Sequence, residues 1–170
     1  MSLSPTTSTE ANVKIPQGVC ALTYTPLDVQ GIINSVRDDS AGATAVFIGT
    51  TRNSFKGKVV TRLEYQAYSK LAIKTIADIV VDAATSIARS DHQTSSQTVS
   101  SLIRCAVGHR LGIVAVGEPS IVIAVSSPHR KEAFVACEFI LEGIKRKAQI
   151  WKREYYEGEN EDEAEWKANE

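Results

Sequence analysis

The sequence predicts a single α+β domain, on three observations. Apolar runs of strand length recur along the chain, two longer segments carry apolar residues at helical spacing, and the two kinds do not follow strict β-α-β alternation. A chain of 170 residues with 43% apolar and 23% charged residues is the size of one such domain and can bury a substantial core.

The elements follow in order. Residues 1–18 are rich in Ser, Thr and Pro and are expected to be disordered. Val19–Tyr24 reads as a short strand, and Pro26 suits the first turn of a helix to about Arg37, with Leu27, Ile32, Ile33 and Val36 apolar. GATAVFIGT (42–50) is a near-continuous apolar run and reads as a buried strand. TRNSFKGK (51–58) reads as a basic loop. Val59–Ala67 alternates, with Val59, Thr61, Leu63, Tyr65 and Ala67 on one face, so a hairpin of 42–50 with 59–67 is expected.

Leu71 to about Ala88 has helical periodicity, and the polar stretch 89–101 reads as an inserted loop. Leu102–Val107, Leu111–Val116 and Ser120–Val125 read as strands separated by glycines. Ser127 is then the expected N-cap and Pro128 the first-turn residue of a helix to about Lys147, with Phe134, Cys137, Ile140, Leu141 and Ile144 inward. Ile150–Tyr156 reads as a strand, and an acidic tail occupies 159–170. The expected division is a disordered 1–18, one catalytic domain over 19–158, and the tail.

Composition excludes several classes. No apolar run reaches the length that spans a bilayer. MSLSPTTSTE has neither the basic start nor the apolar centre of a secretory signal, and Cys20, Cys105 and Cys137 have neither CxxC nor metal-ligand spacing; the expected location is the cytosol. The net charge of −1 conceals an asymmetry: seven of 19 Lys and Arg lie between Arg130 and Arg153, and eight of 20 acidic residues between Glu154 and Glu170. The basic cluster suits a small anionic ligand, whereas nucleic-acid binding would call for a net basic domain.

Four places could carry chemistry. At Ser126–Arg130 the unpaired N–H groups of a helix start, with His129 and Arg130, could hold an anion, or could be a capped helix with two solvated residues. Lys145 sits at the edge of that helix's buried face, where it either snorkels to water or is partly desolvated and reactive. Lys152 and Arg153, on opposite faces of the strand after Trp151, could be functional or could protect a sheet edge. Arg52 follows a buried strand, as a binding residue or an ordinary loop residue. His109 reads as a strand-turn residue. There is no P-loop, GxGxxG, GxSxG or HExxH, so the reactive groups are cations and point to a polyanionic substrate.

Taken together, AVFIGTTRN, VTRLEYQAY, VGHRLGIVAVGEPSIVIAVSSPHRKEAF and IKRKAQIWKREYYEG resemble, in this order, the large subunit of molybdopterin synthase over about residues 40–158. The resemblance implies an α/β-hammerhead-like domain with a small additional antiparallel β subdomain. It implies a homodimer that binds two small ubiquitin-like sulfur-carrier subunits ending in Gly-Gly, giving a heterotetramer. It also implies sulfur transfer from the carrier's thiocarboxylate to cyclic pyranopterin monophosphate, forming the dithiolene of molybdopterin for molybdenum cofactor, with no metal, cofactor, nucleic acid or membrane.

Residue by residue, Arg52, with Thr50 and Thr51 beside it, matches the substrate-binding arginine; His129 and Arg130 match the pair that holds the phosphate or pterin. Lys145 matches the principal catalytic lysine and Lys152 the second, with Arg153 and Glu154 completing the pocket. Gln149 departs from the family, which often has proline before this segment. The alternative is a non-catalytic module that binds a phosphate-bearing ligand or a partner's C-terminal tail in the same cationic pocket.

Overall fold

The computed structural model describes residues 7–87 and 101–169. Their elements are β1 (Ala11–Ile15), β2 (Gly18–Thr23), α1 (Val29–Ser35), β3 (Ala43–Thr50), β4 (Ser54–Phe55), β5 (Lys58–Ala67), α2 (Ser69–Ser86), β6 (Arg104–Arg110), β7 (Gly112–Ala115), β8 (Pro119–Ser127), α3 (Arg130–Lys147), β9 (Ile150–Tyr156) and β10 (Lys167–Ala168). This is the expected α+β domain, with a second, smaller antiparallel sheet.

The larger sheet has the order β1-β2-β6-β8-β3, with β2 and β6 parallel and the other neighbours antiparallel. β8 is an interior strand, between β6 and β3, and is buried on both faces, as its unbroken apolar run requires. One face packs against α2 and α3 through residues such as Ile76, Val80, Ile123, Val125, Ile140 and Ile144. On the other face Ile32 and Val36, from α1 and the residue that caps it, cover Ala106 and Ala124. The smaller sheet has the order β10-β9-β5-β4, and β7 also pairs with β5. The chain crosses from one sheet to the other between β6 and β7, through fully buried Leu111 and Gly112, whose φ of 76° is open to glycine.

Several boundaries and pairings differ from expectation. β3 does not pair with β5; it is an edge strand on β8, and β5 lies in the other sheet between β9 and β7. The 51–58 segment makes its own hairpin, β4 with β5, through Lys56 and Gly57 at φ 49° and 79°, the two positive values that a tight two-residue turn needs. The disorder expected over 1–18 does not hold for its described part. Ala11, Val13 and Ile15 alternate with Asn12 and Lys14, pack on the core and form β1, while Ser8 is buried and its hydroxyl accepts from the Ala67 N–H at 3.1 Å. The inserted loop at 89–101 falls, except for buried Ser101, outside the described residues.

Helix α1 starts later than expected, because Asp28 rather than Pro26 sets its start by accepting from the Gly31 N–H at 3.0 Å. Ser127 does not cap α3. It ends β8, its hydroxyl donates to the Ser101 carbonyl at 2.7 Å, and His129 holds the N-cap position in extended backbone. Phe134 is 67% exposed rather than inward, since the buried stripe runs through Ala133, Ala136, Cys137, Ile140 and Ile144, one residue out of phase with it. The acidic tail is part of the fold: a 3-10 turn at Glu161–Glu163 leads to β10, which adds to the edge of β9.

Candidate active site

β3 ends in a register shift at Gly49/Thr50, and a bulge of this kind redirects the chain that follows it. Thr51 is then fastened to the β7–β8 turn. Its N–H donates to the Glu118 carbonyl at 3.2 Å, and its carbonyl accepts from the Gly117 N–H at 2.9 Å. This places Arg52 at the mouth of a cleft of about 350 Å³ lying between the two sheets. Phe47, Gly49 and Thr50 form one wall, Leu63, Tyr65, Lys152 and Glu154 the wall opposite, and Ser120, Ile121 and Lys145 also line it.

The lysines arrive from different elements. Lys145 lies in the last turn of α3, beside buried Ile144, where the helix stripe meets the cleft. Burial lowers its pKa below the ordinary lysine value, and the positive charge of Lys152 lowers it further, against a weaker pull from Glu142. Lys152 is on β9 directly across from Tyr65 on β5, and pairs with Glu154 at 3.7 Å. Glu154 in turn accepts a short hydrogen bond from the Tyr156 hydroxyl, and Tyr156 is pushed up to about 12 by desolvation and then by that bond. Tyr65 is buried, which raises its pKa; the nearby Ser120 side chain opposes the shift. Among the described residues the cleft therefore holds three cations, Arg52, Lys145 and Lys152, against one carboxylate.

Four expected site residues lie elsewhere. The Thr51 side chain is buried away from the lining, its hydroxyl without a hydrogen-bond partner, and Thr50 lines the cleft instead. Arg153 points to the opposite face of β9, as strand alternation demands. There it donates to Glu64 Oε2 at 3.1 and 3.2 Å, that oxygen also accepts from Tyr155 at 2.6 Å, and the guanidinium stacks over Trp166. His129 and Arg130 stand at the N-terminal end of α3, and at 1.5 Å rise per residue Arg130 is about 22 Å along the helix from Lys145.

Behind the cleft sits His109, which is 1% exposed. Its ring meets Tyr65 edge-on at 5.1 Å. Burial lowers its pKa to about 4; the Arg110 carbonyl opposes that shift, and the charge of Lys145 adds to it. The folded protein thus keeps this ring neutral where the unfolded chain would protonate it near 6.5. The associated stability is complete above pH 6.5 and falls by up to about 3 kcal/mol as the pH drops toward 4. Urea unfolding between pH 4 and 7 should show His109→Gln losing that part of the slope. Neither Tyr65, Ser120 nor His109 was marked by the sequence as part of a site; β5 alternation put Tyr65 on a defined face but gave no sign of what that face met. Among the described residues no cluster of three or more His, Cys, Asp or Glu could hold a metal, and no helix is long and apolar enough to cross a membrane.

A sequence model of the MoaE protein family matches residues 22–147. The molybdopterin synthase catalytic subunit of Coccidioides immitis is 41% identical over 168 residues, covering 98% of this chain and 79% of that protein. The crystal structure of molybdopterin synthase from Staphylococcus aureus superposes with a TM-score of 0.72 at 29% identity, covering 86% of this chain and 94% of that one. A complex of subunits 1 and 2 of the molybdopterin-converting factor from Helicobacter pylori shares the fold at 19% identity, with a TM-score of 0.63 over 82% of this chain and 86% of that one. The chain belongs to the MoaE family, whose named members include the molybdopterin synthase catalytic subunits.

Proposed function

We propose that this chain is the catalytic subunit of a cytoplasmic molybdopterin synthase. It transfers sulfur from the C-terminal thiocarboxylate of a small ubiquitin-like carrier subunit to cyclic pyranopterin monophosphate. The observation that carries this reading is the meeting of Lys145, Lys152 and Arg52 in one cleft, with the Lys145 pKa lowered by burial and by Lys152. Both proposed reactants are anions, and three cations around the cleft attract them and stabilise charge that develops as sulfur attacks the pterin side chain. Lys145 can exchange a proton nearer neutral pH than an ordinary lysine, so it is assigned the acid–base step. Lys152, held by Glu154 and facing Tyr65, is assigned the fixed charge beside the sulfur.

The proposed assembly is a heterotetramer, with two copies of this chain at its centre. That reading gives His129 and Arg130 a role despite their distance from Lys145: they serve the cleft of the second copy as a phosphate anchor. It also leaves a use for the edge strand β3, whose Val46 and Ile48 are exposed. The experiment is reconstitution of the purified chain with thiocarboxylated carrier and cyclic pyranopterin monophosphate, which should form molybdopterin. Carrier binding without product would instead favour a pocket that only holds the partner's tail.

A further inference from the structure

His109 has both ring nitrogens engaged inside the protein. Nδ1 lies 2.8 Å from the Arg110 carbonyl oxygen, which can only accept, so Nδ1 carries the proton. Nε2 is then an acceptor, and the side-chain amide of Asn169 lies 3.2 Å away with Nδ2 toward it. Asn169 is 5% exposed and is itself fixed, since its backbone N–H donates to the Ile150 carbonyl at 3.2 Å. The strand that brings it there, β10, pairs Lys167 with Lys152 and Ala168 with Trp151. Arg62 with Glu161, and Arg153 stacked on Trp166, hold the approach to that strand.

The 161–169 segment therefore reaches the back of the cleft by a route separate from the cleft's own lining. Its last described side chain meets an imidazole whose ring packs edge-on against Tyr65, a lining residue of the cleft that also holds Lys145. An imidazole in this place has two neutral tautomers and one cationic form. Only the tautomer with the proton on Nδ1 satisfies both the Arg110 carbonyl and the Asn169 amide donor. A buried Nε2 left without its donor would rotate, change tautomer or admit water, and each of these disturbs the ring against Tyr65 and the neighbourhood of Lys145.

We propose that Asn169 is a positioning residue for sulfur transfer: by donating to His109 Nε2 it locks the imidazole that backs Tyr65, so that β10 helps set the geometry of the cleft. This rests on the sulfur-transfer reading above. Two variants test it in the reconstituted synthase. Asn169→Leu keeps the approximate size and removes the donor; Asn169→Asp keeps the shape and replaces the donor with an acceptor. Long-range ¹H–¹⁵N spectra of the full chain should show His109 protonated at Nδ1 alone in the unmodified protein. The Leu variant should show a mixture of tautomers, and the Asp variant the cationic form.

In both variants kcat should fall about ten- to a hundredfold, the size of effect that a misplacement near 1 Å produces, with KM for the pterin little changed and the protein still cooperatively folded. Unmodified protein with His109 protonated at Nε2, or a variant with altered tautomer and undiminished kcat, overturns the proposal. A rise in kcat on loss of the Asn169 amide overturns it as well. Absence of transfer by the unmodified pair would count against the sulfur-transfer reading, whereas normal transfer by both variants would count against the latch alone.

Discussion

Lys145→Ala should lower kcat for sulfur transfer by about 10²–10⁴, the usual contribution of a positioned general acid or base. The fold should survive, because Lys145 stands beside the buried stripe of α3 and not in it; Ile140 and Ile144 keep their contacts. Carrier binding should also survive, since Arg52 and Lys152 remain in the cleft. Lys145→Arg separates two roles. It restores the charge but cannot give up a proton at accessible pH. If Lys145 only stabilises negative charge, arginine recovers much of the rate. If it moves a proton, as its lowered pKa indicates, arginine stays near the alanine level. The kcat–pH profile of the unmodified enzyme should accordingly have its basic limb below the ordinary lysine value of 10.5.

The second large effect concerns the helix start. Arg130→Ala removes a two-pronged phosphate anchor and should slow transfer at sub-saturating pterin by about tenfold or more. Arg130 and Lys145 occupy opposite ends of α3, so in the proposed dimer each cleft takes Lys145 from one copy and Arg130 from the other. Arg130→Ala and Lys145→Ala should then complement when co-expressed. Random pairing makes half the dimers mixed, and one of the two clefts in each mixed dimer is intact, so about a quarter of full activity should return. Recovery no greater than the average of the two variants would place both residues in the same copy's cleft.

The fold class and most elements could be read from the sequence because local pattern determines them. Alternation over Val59–Ala67 marks β5, the unbroken run at 120–125 marks the interior strand β8, and the period through Cys137, Ile140 and Ile144 marks α3. What pattern does not determine is which strand pairs with which. The neighbours 42–50 and 59–67 suggest a hairpin, but β3 pairs along its length with β8, from Ala43 with Ser127 to Thr50 with Pro119, and Ser54–Val59 closes a short hairpin of its own. β1 is not legible from local pattern because five alternating residues are brief within a Ser/Thr-rich stretch, and they are strand only because β2 is there to pair with.

The site divides the same way. Lys145 at the edge of a buried helical face, and Lys152 opposite Arg153 on a strand, are local facts, and the structure places them as periodicity does. Arg153 nonetheless entered the expected pocket with its neighbours, and the same alternation that separates it from Lys152 turns it toward Glu64 and Trp166. Tyr65, Ser120, His109 and Asn169 come together only through tertiary structure, across as many as 104 positions between Tyr65 and Asn169, and no spacing in the sequence announces that.

The most direct test of the central claim follows the sulfur itself. Thiocarboxylated carrier is mixed with this chain in a single turnover, and the intact mass of the carrier is measured with and without cyclic pyranopterin monophosphate. Transfer predicts that the carrier exchanges its terminal sulfur for oxygen only when the pterin is present, that the pterin gains the sulfur, and that Lys145→Ala leaves both masses unchanged. A carrier that binds in the cleft and keeps its sulfur, or loses it equally without the pterin, would contradict the account.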